Sequence, residues 1–123
     1  MSLSKIRLEL ARCKEYPDGA HDIGYEFAAP LKEDGRIDAE AWGKNRDHCR
    51  VRRFRPGEED DIGHLLHKRG GSWAFHYDIH SDEEEDEAGY RFGDHAFRPG
   101  EYVSVREDDE LMPYKVVRVM PVA

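Results

Sequence analysis

The chain is short of cysteine, of unbroken apolar sequence and of net positive charge, and each shortage removes a class of protein. Two cysteines in 123 residues, Cys13 and Cys49, are too few and too far apart for a zinc ribbon or a disulfide framework. Both are expected to be reduced thiols in a core or an interface. No apolar run is long enough to span a bilayer. Met1 to Leu10 is interrupted by Lys5, Arg7 and Glu9, so no secretory signal is expected and a cytoplasmic location is the default. The formal charge of -8 and pI near 5.3 oppose general affinity for phosphate backbones or anionic lipid.

What the chain has is charge and aromatics. Charged residues make up 37% of it and mean hydropathy is -0.88, values that raise the question of disorder. The aromatics answer it. Phe, Trp and Tyr residues are spread from Tyr16 to Tyr114 and mostly alternate with polar ones, which gives each segment an apolar face to bury. At 14.3 kDa, residues 1–123 are expected to form a single all-β-type domain.

Ile6, Leu8 and Leu10 alternate with Arg7, Glu9 and Ala11, the period of a strand with one buried face. Tyr16-Pro17-Asp18-Gly19 turns the chain, Gly24 to Ala29 forms a second strand, and Pro30 ends it because proline cannot donate to a ladder. Asp38 is placed to cap one short helix through Trp42, with Gly43 as its stop. From Cys49 onward five or six strands follow: Cys49 to Arg55, Gly63 to His67, Trp73 to Ile79, Tyr90 to Phe97, Tyr102 to Arg106 and Tyr114 to Val122. Their short connections predict an antiparallel barrel or sandwich, mainly β. Gly93-Asp94 reads either as a bulge or as a tight turn, and a turn would split Tyr90 to Phe97 into two strands. The position of the first two strands in the sheet order stays open. An uncovered strand edge would allow a homodimer as well as a monomer.

Fourteen of the 27 acidic residues lie in three runs, Glu58 to Asp61, Asp82 to Glu87 and Glu107 to Glu110, each between two expected strands. In a meander these loops share one end, opposite the basic loops at Lys68-Arg69 and Arg98. Asp82 to Glu87 lacks the alternating oxygen ligands and mid-loop glycine of an EF-hand. The runs therefore read as solvated loops that discourage aggregation, or as a docking surface for a basic protein partner through Glu83, Glu84, Glu85 and Asp86.

Histidines suggest a second chemistry. If Lys68 to Ser72 is a hairpin loop, His67 pairs with Trp73 and His64 with His76, and Asp78 and His80 share the face of His76. His64, His76, Asp78 and His80 would suit a divalent transition metal such as Zn, Mn, Fe or Ni. Against this, Trp73, Phe75, Tyr77 and Ile79 claim the buried face, which leaves the histidines toward solvent without the shelter that ligands need. The likeness to cupins is loose, because His76 and His80 are separated by three residues where that family's first motif has one. His67 falls on the inner face beside Trp73. As a general base it would have only Ser72 or Cys49 as nominal nucleophiles.

Lys44, Arg46, Arg50, Arg52, Arg53 and Arg55, with Phe54 among them, form the one basic stretch, a third reading as a platform for single-stranded nucleic acid. The overall charge and the nearby Glu58 to Asp61, which can pair with these arginines, weigh against it.

Phe97 to Val105, leading through an acidic turn into Tyr114 to Val119, resembles the hairpin of small SH3-like barrels. Gly24 to Leu31, Asp34 to Asp38, Cys49 to Phe54 and Gly100 to Ser104 together resemble a family of small uncharacterised bacterial proteins. That resemblance implies one folded domain and carries no activity, cofactor or site. The expected function is a non-enzymatic interaction module with an acidic pole, the alternative a metal-binding protein or metal-dependent enzyme.

Overall fold

In a computed structural model, which describes residues 3–78 and 86–122, alternation decides which way each strand faces. The strands are β1 (Ser4–Leu10), β2 (Ala20–Ala29), β3 (Arg50–Phe54), β4 (Asp61–His67), β5 (Trp73–Tyr77), β6 (Glu87–Tyr90), β7 (Tyr102–Glu107) and β8 (Glu110–Pro121). Each pairs antiparallel with the next, and β8 returns to β1, so the sheet closes into an eight-stranded barrel in sequence order. Closure resolves the choice between barrel and sandwich and places β1 between β2 and β8. Every strand has two neighbours, so among the described residues no strand edge is left for a second chain to extend.

Inward positions are apolar on almost every strand: Ile6, Leu8, Tyr25, Phe27, Val51, Leu65, Phe75, Val103, Val105, Tyr114 and Val116 are all at most 2% exposed. The outer wall carries Arg7, Glu9, Arg50, Arg52, Arg106 and Lys115, the reverse of the alternation in a membrane-spanning barrel. Among the described residues no helix is long and apolar enough to cross a membrane.

Rings fill the barrel axis. Tyr114, Tyr25, Phe75, Phe27 and Phe97 pack in succession, tilted or edge-to-face, with centroids 5.1, 5.0, 5.2 and 5.6 Å apart, and Phe92 lies 5.2 Å from Phe97. An eight-stranded interior is just wide enough for side chains to fill, and here they do so. Phe92 enters because Gly89 on β6 lacks a side chain, since a Cβ there would lie 2.5 Å from the Phe92 ring.

The long connection between β2 and β3 closes one end. Its helix α1 (Ala39–Lys44) begins where Asp38 accepts a hydrogen bond from the Ala41 amide, as expected from its sequence. Gly43 does not stop the helix, which runs one residue further. Trp42 packs edge-on against Trp73 at 5.6 Å and donates its indole N–H to the Leu65 carbonyl at 2.9 Å.

The segment after β6 departs from the expected strand over Tyr90 to Phe97. Arg91 adopts a left-handed conformation (φ 52°), Phe92–Asp94 forms a 3-10 turn, and the Phe97 amide donates to the Gly35 carbonyl at 2.8 Å. Gly93-Asp94 is thus a turn that starts no new strand, because the chain crosses the barrel end to bury Phe92 and Phe97. The parity of the later loops is unchanged.

Candidate functional site: a polar layer beneath the acidic end

Up-and-down connectivity puts the turns after β1, β3, β5 and β7 at one end of the barrel. The turns from Asp60 into β4 and from Glu107 to Glu110, and Glu87 at the start of β6, therefore gather there, while Lys68, Arg69 and Arg98 lie at the helix-capped end. That polarity was legible in the sequence. Residues Glu83, Glu84 and Glu85, proposed for partner docking, lie outside the described residues. Asp86 is described, and its carboxylate is buried against His76 Nδ1 at 2.6 Å and Lys68 Nζ at 2.8 Å, so it does not present itself to a partner.

Just inside the acidic end the apolar lining changes to a Tyr, Glu and Arg layer. Arg53 follows Val51 on the inward side of β3 and Arg55 extends that side. Glu87 enters from β6 opposite Phe75, and Glu107 from β7 two residues beyond Val105. Hydroxyls of the axial tyrosines meet these carboxyls. Tyr25 Oη lies 2.9 Å from Glu87 Oε1 and 2.6 Å from Glu107 Oε2, Tyr77 Oη lies 2.5 Å from Glu87 Oε1, and Tyr114 donates to Glu107 Oε2. Arg55 Nη2 donates to Glu107 Oε1 at 3.0 Å, Arg53 Nε sits 3.7 Å from Glu87 Oε2, and Arg53 Nη1 reaches Asp61 at 3.4 Å.

Burial sets the protonation chemistry of this layer. It raises the Tyr25, Tyr77 and Tyr114 hydroxyls well above the ordinary phenol range, and the adjacent carboxylates add to the effect. Burial also raises the Glu87 carboxyl, and Glu107 pushes the same way, against hydrogen bonds from Tyr77 and Tyr25 and the charge of Arg53. Elsewhere, burial pushes the Cys49 thiol up to about 11. For the phenols and the thiol, burial thus favours the protonated form over the nucleophilic anion.

A pocket of about 190 Å³ opens onto the layer from outside. It lies between the segment joining β1 to β2 and the turn joining β7 to β8. Glu15, Glu107, Asp108 and Glu110 line it, with Arg55 as its one cationic side chain and Tyr114 beside Arg55.

The histidine hairpin has the register expected of it, with His64 opposite His76 and His67 opposite Trp73. The side chains then diverge to separate partners. His64 lies 3.0 Å from Arg50 Nη1 and 3.4 Å from Asp78, while His76 turns to Asp86. Among the described residues no group of three or more His, Cys, Asp or Glu side chains converges as metal ligands do, and His80 lies outside them. His67 stacks on Trp73 at 4.1 Å, and Ser72 sits in the exposed turn that follows.

Most of the basic stretch is paired where it stands. Arg50 pairs with Asp78, Arg52 with Asp60 and Glu26, Arg53 with Asp61, and Arg55 with Glu107, while Arg46 covers the Trp42 ring. On the outer wall Glu26 gathers Arg7, Arg52 and Arg118. Burial alone would raise its carboxyl, but hydrogen bonds from Arg52 and Arg7 outweigh that and hold it below the ordinary carboxylate range.

The sequence reading missed the inner layer because charged residues near turns were taken to face solvent. Strand parity was the available signal: Arg53 shares the side of Val51, and Glu107 that of Val103 and Val105. Compared with known proteins, the chain matches no family model, no curated protein and no solved structure.

Proposed function

We propose that this protein is a non-enzymatic binding module whose acidic end receives a basic side chain of a partner protein. The observation that carries the reading is the pocket between the β1–β2 segment and the β7–β8 turn, where the carboxylates of Glu15, Asp108 and Glu110 are exposed and the paired Glu107 lies beneath them. Charge complementarity of this kind steers encounter and selects partners more than it adds raw affinity. Aromatic rings occupy the axis, and burial that disfavours the phenolate and thiolate forms supports a role in binding over nucleophilic chemistry.

A synthetic oligolysine peptide titrated into ¹⁵N-labelled protein at low ionic strength tests this. Amide shifts are expected at Glu15, Asp108 and Glu110, and the paired substitution Asp108→Lys with Glu110→Lys should weaken binding by about tenfold or more. Shifts scattered over the barrel, or affinity unchanged in the double variant, would overturn the reading.

A further inference from the structure

The polar layer contains more hydrogen-bond contacts than its phenols have protons. Tyr25, Tyr77 and Tyr114 carry one hydroxyl hydrogen each, yet four short oxygen pairs join them to two carboxyls: Tyr25 to Glu87, Tyr25 to Glu107, Tyr77 to Glu87 and Tyr114 to Glu107. If both carboxyls were ionised, each could only accept, and Tyr25 would serve one and press a lone pair against the other. A further hydrogen on one carboxyl satisfies all four pairs.

The charge count points the same way. Two guanidiniums, Arg53 and Arg55, face three carboxyls, Glu87, Glu107 and Asp61. Two charges of each sign balance only if one carboxyl is neutral. Glu107 accepts a hydrogen bond from the Arg55 guanidinium at 3.0 Å, and Asp61 lies nearer the surface beside Arg53. Glu87, 8% exposed, has its nearest guanidinium contact at 3.7 Å. We propose that Glu87 retains its proton in the folded barrel at neutral pH, as the donor that starts a hydrogen-bonded chain from Glu87 through Tyr25 to Glu107 at the floor of the acidic pocket.

The groups that face Glu87 come from most of the wall. Tyr25 on β2, Arg53 on β3, Tyr77 on β5 and Glu107 on β7 surround it, with Asp61 of β4 behind Arg53 and Tyr114 of β8 behind Glu107, while the buried residues of β1 (Ile6, Leu8 and Leu10) carry no charge. In the directions that satisfy every oxygen, Tyr77 donates to Glu87, Glu87 to Tyr25, Tyr25 to Glu107 and Tyr114 to Glu107. Loss of the Glu87 proton would leave a buried anion offset, among the described residues, only by Arg53, at 3.7 Å and shared with Asp61, and would break the Glu87 to Tyr25 link. The sign of the linkage follows: a carboxyl raised in the folded state binds more protons folded than unfolded, so its contribution to stability is lost as pH rises above the ordinary carboxylate range.

Infrared difference spectra of the protein against Glu87→Gln at neutral pH provide the test. A carbonyl band of a neutral carboxylic acid is expected in the wild type and absent from the variant, whereas Glu107→Gln, which leaves two carboxyls facing the two guanidiniums, should shift the loss of the band to lower pH. Tyr25→Phe removes two of the four contacts and leaves two phenol protons for the remaining two, so the band should vanish at lower pH than in the wild type. A wild-type spectrum without the band, or a band unchanged in Glu87→Gln, would overturn the proposal. Should the variants fail to fold, ¹³C-carboxyl titration of glutamate-labelled wild type decides alone. One glutamate remaining protonated through neutral pH supports the assignment, and all titrating in the ordinary range refute it.

Discussion

The two ends of this barrel bury side chains by opposite means. The helix-capped end is closed with Phe27, Phe92, Phe97, Trp42 and Trp73, groups that need little beyond shape and, for Trp42, one carbonyl to receive its N–H. The acidic end is closed with Tyr25, Tyr77 and Tyr114 under Glu87, Glu107, Arg53 and Arg55, where each polar atom needs a partner of the right sign and protonation state. An apolar plug tolerates small displacements and gains with every buried methylene. A buried polar layer is worth having only when it is fully satisfied, and in return it can respond to pH and to ligands at its surface.

The largest effect is expected on the aromatic axis. Phe75→Ala removes a ring that touches Tyr25, Phe27 and Phe92 at once, and should cost roughly 3–5 kcal/mol in urea-induced unfolding. A loss well below this would mean that the barrel collapses around the gap and that the axis is less tightly packed than its ring spacings indicate.

At the polar end, Arg55→Met strands Glu107 beside Tyr114 and Tyr25 without its guanidinium. Partial exposure of the pair reduces the penalty for a fully buried charge to about 2 kcal/mol at neutral pH. The deficit should shrink in the double variant Arg55→Met with Glu107→Gln, where no charge is left without its partner. A deficit equally large in the double variant would assign Arg55 a packing role in place of an electrostatic one.

The smallest effect concerns the helix that caps the apolar end. Asp38→Ala removes the acceptor for the Ala41 amide and should lower the melting temperature in line with about 1 kcal/mol, with the polar layer undisturbed. Altered tyrosine absorbance on alkaline titration of that variant would reveal communication between the two ends.

Where the sequence succeeded, the physics was local. The register of the Leu65 and Phe75 hairpin followed from a short glycine turn and one apolar face, and the Asp38 cap followed from a single side chain three residues before an amide. The segment from Arg91 to Phe97 failed as a strand because its two aromatics bury against Phe27 across the barrel end, a contact that no local period encodes. The acidic runs were recognised as loops, but the last residue of one, Glu87, and the first of another, Glu107, turn inward.

Composition and alternation by themselves determined an antiparallel β domain with a buried aromatic face, a capped helix near Trp42 and acidic turns set apart from basic ones, since each depends on residues within a turn or a strand of one another. Closure of the sheet, the plug of Phe92 and Phe97, and the meeting of Tyr25 with Glu87 and Glu107 across 62 and 82 residues of chain were decided only by the tertiary structure. The reason is that a charged side chain beside a turn costs nothing in water, and it becomes a buried hydrogen-bonding group only when the barrel closes and brings its partners within reach.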